Sequence, residues 1–261
     1  GGISFMQVID DGSGIEEEDI KNAFMPHATS KIKNAEDLDS IATLGFRGEA
    51  LASIASVSKV TVISKTKESD VGTKLEVSAG KFGDASKVSA NTGTSMTVED
   101  LFYCVPARAK FLKKPKAEEQ EITNIISRTI LAHPEINFNY YVNDKKMLSS
   151  LGSTKKEALF SIYGKEAVNE TLEVSASREG VSVDGFVGKP TYSKSNRTYQ
   201  TLFINNRYVI NSGELSVNKF YNNNSVDENI DIDLYSMGKI DYKFSNICKN
   251  KEDYEININH K

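Results

Sequence analysis

Hydrophobic and polar positions alternate first in Ile3, Phe5 and Val8-Ile9, predicting a strand that runs into a turn at Asp10-Asp11-Gly12-Ser13-Gly14. An acidic stretch, Glu16 to Asp19, then leads into a short helix with Ile20 and Phe24 four residues apart, and Pro26 ends it. After a polar loop, Glu49 to Val57 forms a helix of small residues suited to close packing. Alternation returns at Val60 and Val62, Leu75 and Val77, and Met96 and Val98, with Gly72, Gly80, Gly83 and Gly93 marking turns. A longer helix from about Ala117 to Ala132 aligns Ile122, Ile125, Ile126 and Ile130, and Pro134 stops it. Ile136, Phe138, Tyr140 and Val142 then alternate up to Asn143-Asp144, a hairpin turn.

Near residue 150 the pattern restarts. Lys155 to Tyr163 predicts a helix closed by Gly164. Strands follow around Thr171–Val174, Val181–Val187 and Tyr199–Ile204, with Asn205-Asn206 as a turn. Beyond Gly213 the chain is Asn-rich and its apolar residues hold no sustained period, which predicts a linker or disorder. The expected organisation is α+β throughout. Residues 1–150 form a two-layer sandwich of helices on a mixed sheet, residues 151–213 a smaller α/β domain, and residues 214–261 a tail.

Composition narrows this picture only slightly. Two cysteines far apart, Cys104 and Cys248, argue against both a disulfide framework and a Cys-based zinc site. No apolar run approaches the roughly 20 residues that span a bilayer, so a soluble, cytoplasmic protein without membrane partners is expected. A net charge of −4 argues against binding nucleic acid with the whole surface, but leaves room for a local basic patch.

Three clusters could carry chemistry. Asp10-x-Gly12-x-Gly14 follows a strand. An Asp carboxylate there can accept from an exocyclic amine while the glycines let backbone approach a flat ring, although a tight turn alone would also explain the motif. His27-Ala28-Thr29-Ser30-Lys31 brings hydroxyls, amides and an ammonium together in a way that suits a polyphosphate, or simply a polar loop. Gly45-Phe46-Arg47-Gly48, opening the helix at Glu49, presents unpaired N–H groups to phosphate oxygens or is an ordinary helix entry. His27 reads as a structural hydrogen-bonder and His133 as a helix-end cap.

In order along the chain, DDGSGI, HATSKI, TLGFRGEALASI, GTSMTVEDLF and PARAKFL resemble the amino-terminal region of MutL-type DNA mismatch repair proteins. These belong to the wider ATPase class of gyrase B, heat-shock chaperones and histidine kinases. D-x-G-x-G is shared across that class, whereas GFRGEAL and PARAKFL mark the mismatch-repair branch and argue against a topoisomerase subunit. The resemblance covers roughly residues 1–213, more loosely at QTLFINNRYV.

It implies a Bergerat-type fold followed by a transducer-like domain, with ATP and Mg²⁺ as cofactors. Asp10 would bind the adenine amine, Gly12 and Gly14 would shape the base pocket, and Thr94 would lie beneath the adenine side. Thr29, Ser30 and Lys31 would approach ribose and phosphates, and Gly45, Phe46, Arg47 and Gly48 would form a lid. The implied function is a homodimeric, ATP-binding and ATP-hydrolysing clamp that links a MutS-type mismatch sensor to downstream repair and binds DNA weakly without sequence preference. A basic cluster of Arg108, Lys110, Lys113, Lys114 and Lys116, with Arg207 in the INNR turn, would meet phosphates; a merely solvated face is the alternative. The family's general-base Glu and Mg²⁺-binding Asn lie on a helix upstream of the D-x-G-x-G strand and have no counterpart from Gly1 onward. The expectation is therefore a truncated fold lacking its first helix, with a catalytic centre and metal ligand missing and inefficient hydrolysis by this chain alone. The competing expectation is a module that binds DNA or a partner without nucleotide.

Overall fold

The computed structural model describes residues 1–26, 48–178, 181–193 and 199–209, together with the backbone of four later strands. The chain divides into two compact units, Gly1–Ile125 and Ile126–Lys261, with the divide inside a helix.

The first unit is built on a sheet. Its strands are β1 (Phe5–Asp10), β2 (Lys59–Lys65), β3 (Gly72–Ser78), β4 (Lys81–Phe82), β5 (Ser86–Val88) and β6 (Gly93–Glu99). Their order is β1-β6-β2-β3-β4, with β5 also pairing β3. Among the described residues every pairing in this sheet is antiparallel. The α+β class holds, but the sheet is antiparallel where a mixed one was expected. Hydrophobic alternation specifies which face is buried and carries no information about strand direction, which explains the difference.

Alternation on β2 turns Val60, Val62 and Ser64 inward, and on β3 it buries Leu75 and Val77. Against this face pack Ala55 of the six-residue helix α1 (Ala50–Ala55) and Ile20 and Phe24 around a single 3₁₀ turn, Asn22–Phe24. Ile15, Ala23, Leu51, Met96 and Val98 line the same core. The short helix expected after Glu16 is thus a turn and one 3₁₀ segment, yet it buries the two apolar residues picked out by spacing. The opposite behaviour holds at the sheet edge, where Phe5, Val8 and Ile9 of β1 are largely exposed.

A four-residue helix, α2 (Pro106–Ala109), precedes α3 (Pro115–Ala132), which crosses from one unit to the other. In the second unit β7 (Asn137–Val142) and β8 (Lys145–Leu151) form a hairpin. Its turn residues Asn143 and Asp144 both have positive φ, 47° and 64°, as a primed turn requires. Helix α4 (Lys155–Asn169) is capped by the Thr154 hydroxyl, which accepts from the Glu157 N–H at 3.1 Å. Gly164, expected to close that helix, instead interrupts it at φ 80°, ψ −178°, and helical structure resumes to Asn169. Two further hairpins follow, β9 (Thr171–Arg178) with β10 (Val181–Gly188), and β11 (Leu202–Ile204) with β12 (Arg207–Val209). Asn205 and Asn206 make the second turn at φ 49° and 60°.

In the Asn-rich segment, where composition predicts a linker, the backbone of β13 (Leu215–Asn222), β14 (Ser225–Tyr235), β15 (Asp241–Asn246) and β16 (Ile256–His260) forms an antiparallel sheet. A short-range period is visible there after all, at Ile230, Ile232 and Leu234 and at Ile256 and Ile258. Among the described residues, no helix is long and apolar enough to cross a membrane.

Candidate nucleotide site

The site begins with a row of polar side chains across three strands. Asp10 closes β1 and pairs with Thr94 on β6, and Thr94 pairs in turn with Ser64 on β2. Asp10 Oδ1 accepts the Gly12 N–H at 2.9 Å and the Thr94 N–H at 3.2 Å. Two backbone donors on one oxygen fix the carboxylate's orientation. Among the described residues nothing bonds Oδ2, and Asp10 is exposed, so an acceptor is held ready at the sheet edge.

Ser64 supports this arrangement from below. Its hydroxyl is buried, accepts the Ile15 N–H at 2.8 Å and reaches the Gly93 carbonyl at 3.1 Å and Thr94 Oγ1 at 2.9 Å. The Gly93 carbonyl can only accept, so the single Ser64 proton goes there and the Thr94 hydroxyl donates to Ser64. Both lone pairs of Thr94 Oγ1 then stay available.

Glycines let these segments approach. A Cβ on Gly12 would lie 2.9 Å from Asp10 Oδ1 and spoil its bond. One on Gly14, at φ 78°, would overlap the Lys65 carbonyl oxygen, and one on Gly93, at φ 115°, the Asp10 carbonyl oxygen. Gly14 is therefore needed for close approach to β2 as well as for the turn, and Gly12 for the carboxylate bond.

The other expected residues divide into two groups. Thr29, Ser30, Lys31, Gly45, Phe46 and Arg47 lie outside the described residues. Gly48 is described, at φ 64°, just before the residue that opens α1. Ser64 and Gly93 are additions that sequence reasoning missed. A signal existed for Ser64: it is the one hydroxyl in the inward phase of β2, after Val60 and Val62.

The basic residues sit elsewhere in the first unit. Arg108 belongs to α2, Lys110 follows it, and Lys113 and Lys114 lead into α3. Lys113 is committed internally: its N–H donates to Glu118 Oε1 at 2.7 Å and its ammonium to Glu121 Oε1 at 3.1 Å. Arg207 opens β12 in the second unit, exposed beside the Asn205-Asn206 turn.

Residues 3–101 match the family model for histidine kinase-, DNA gyrase B- and HSP90-like ATPases, which places the first unit in that class of fold. Residues 159–230 match the model for the DNA mismatch repair protein, C-terminal domain. The chain is 44% identical over 212 residues to the DNA mismatch repair protein MutL of Clostridium botulinum strain Eklund 17B, and 45% identical over 212 residues to that of Clostridium beijerinckii. Each alignment covers 81% of this chain and 32% of the relative, so the chain spans about a third of their length. Among solved structures, the Aquifex aeolicus MutL ATPase domain complexed with ADP superposes with a TM-score of 0.60 at 28% identity, covering 80% of this chain and 72% of that one. The N-terminal domain of a DNA repair protein gives 0.64 at 25% identity, covering 80% and 66%. The chain belongs to the MutL family of DNA mismatch repair proteins.

Proposed function

We propose that this chain binds ATP at the Asp10–Thr94 edge and acts within a nucleotide-controlled DNA clamp of mismatch repair. The observation that carries the reading is the pinned carboxylate of Asp10, with one oxygen held by two backbone amides and the other left for a ligand donor. Adenine offers an exocyclic amine as that donor. Gly12 and Gly14 keep the neighbouring backbone close and free of Cβ bulk, and Thr94 adds a hydroxyl acceptor on the same edge. The related Aquifex aeolicus domain was solved with ADP, which supports a purine nucleotide here.

Thr29, Ser30 and Lys31, with Gly45 through Gly48, are assigned to the ribose and phosphates on the family resemblance. Bound ATP supplies a phosphoanhydride whose cleavage can be coupled to a change of state. The chain's own described residues supply base recognition and orientation. Mg²⁺ accompanies the triphosphate in this reading. The described residues include no group of three His, Cys, Asp or Glu side chains that could hold a metal ion, so its ligands are not assigned to them. The division into an ATPase-like region to residue 150 and a transducer-like region to 213 belongs to the same proposal. So do a cytoplasmic location, homodimerisation and partnership with a MutS-type mismatch sensor. Binding energy that orders a lid also shifts dimer affinity, and the coupling runs both ways.

Titration with a fluorescent ATP analogue tests the site: Asp10→Ala should bind far more weakly than the parent chain, and equal binding would end the adenine assignment. A second reading, a DNA-binding module that works without nucleotide, is favoured by the exposed cations near α2. DNA affinity that falls with salt but ignores ATP would support it.

A further inference from the structure

Phe111 is 88% exposed, more than any other large apolar side chain among the described residues. It does not dangle from a loose end. Its N–H donates to the Arg108 carbonyl at 3.0 Å, and the neighbouring Leu112 N–H to the Ala109 carbonyl at 3.2 Å. The Lys113 N–H is held by Glu118. A hydrogen-bonded turn therefore holds the aromatic ring outward while Leu112 is half-buried.

The ring is surrounded in sequence by charge of one sign. Arg108, Lys110, Lys114 and Lys116 are exposed and form no ion pair with a carboxylate among the described residues, whereas Lys113 is drawn off by Glu121. An exposed aromatic among free cations has the two components of a single-strand nucleic-acid site: a π-face for a base and a positive rim for the phosphates. Duplex bases are already stacked on one another and offer no open face, so the ring adds nothing to duplex binding.

We propose that Phe111 is a stacking platform for an unpaired base of single-stranded DNA, with Arg108, Lys110, Lys114 and Lys116 holding the adjacent phosphates. This rests on the reading of the same cluster as a DNA contact, and adds a preference for single strands. An acidic polyelectrolyte with exposed rings complements both the charge and the ring, whereas an apolar protein segment would have to desolvate four exposed cations that flank it in sequence.

The chain contains no tryptophan, so Phe111→Trp installs a single tryptophan at the platform, excitable at wavelengths the tyrosines do not absorb. Oligothymidylate of about 15 nucleotides should quench its emission, added salt should reverse the quench, and a blunt duplex should bind without quenching. In anisotropy titrations Phe111→Ala should lose about 5- to 150-fold in single-strand affinity, the worth of one stacked base, and keep its duplex affinity. The double substitution Lys110→Ala/Lys114→Ala should weaken both. If Phe111→Ala binds single strands like the parent while the lysine variant loses both ligands, stacking is refuted and the DNA contact stands. If the lysine variant binds both ligands like the parent, the DNA contact itself is refuted. A Phe111→Ala chain that changes only its sedimentation, with DNA binding intact, would assign the ring to a second copy and overturn the proposal.

Discussion

Asp10 and Thr94 face each other across β1 and β6, and the carboxylate of the first accepts the backbone N–H of the second at 3.2 Å. The two residues lie 84 positions apart in the chain, so the contact exists only because β6 inserts between β1 and β2. A side chain at a strand end is thereby locked to the sheet without losing its exposed oxygen.

Replacing Asp10 by Asn separates the structural role from the binding role. The amide oxygen can still accept from Gly12 and Thr94, so the thermal midpoint should stay close to that of the parent. The freed position, however, becomes an NH₂ donor where adenine also presents a donor. Nucleotide affinity should drop about tenfold or more, because a hydrogen bond to a charged acceptor is exchanged for a donor–donor clash. Isothermal titration with ATP beside a melting curve reads both effects.

Gly93→Ala attacks the same edge through the backbone. At φ 115° an L side chain is strained, and its Cβ would overlap the Asp10 carbonyl oxygen. Urea denaturation should show a loss of about 2–4 kcal/mol, from strain plus displaced backbone. Nucleotide binding should fail with it, since β1 must move.

Ser64→Ala removes no apolar packing but strands two backbone groups. The Ile15 N–H loses its acceptor and the Gly93 carbonyl loses a donor in a buried place. The expected cost is about 1–3 kcal/mol by chemical denaturation. Ser64→Thr should recover part of it by restoring a hydroxyl, although the added methyl must fit a close-packed site.

How far the sequence made this structure legible depends on the range of each signal. Period-two runs located β2 and β3, which bury one face, and β6 and β7, whose apolar residues are half-buried, and Asn143-Asp144 marked its turn because few residue pairs adopt two positive φ values. Strand order and direction were not legible, since no local pattern states that β6 lies between β1 and β2. Asp10, Gly12, Gly14 and Thr94 could be named from motif order, but Ser64 and Gly93 could not. Their role is set by what lies across the sheet, as the Ile15–Ser64 bond shows, spanning 49 positions. The basic cluster was readable as composition, while the capture of Lys113 by Glu121 depends on how α3 starts relative to α2. At Gly164 the rule that glycine ends a helix met a chain that resumes its helix after one extended residue.

Acid sensitivity can be located at the junction of α3 and β7. Glu135 has its pKa lowered below the ordinary 4.5, first by a hydrogen bond from its own backbone N–H, with burial opposing and the hydrogen bond from His133 adding to the lowering. The His133 Nδ1 to Glu135 Oε1 distance is 3.1 Å. A carboxylate with a depressed pKa in the folded chain binds fewer protons than in the unfolded chain. Its contribution is therefore present above the unfolded value and fades as pH falls from about 4.5 through the lowered folded value. Glu135→Gln should accordingly lower the urea midpoint at neutral pH by a small amount, since the carboxylate is mostly exposed and screened by solvent. The gap between variant and parent should close as the pH is lowered across that window. A gap that stays constant from neutral pH into acid would refute the charge at Glu135 as its cause, since the amide oxygen of the variant can still accept the backbone N–H and does not titrate.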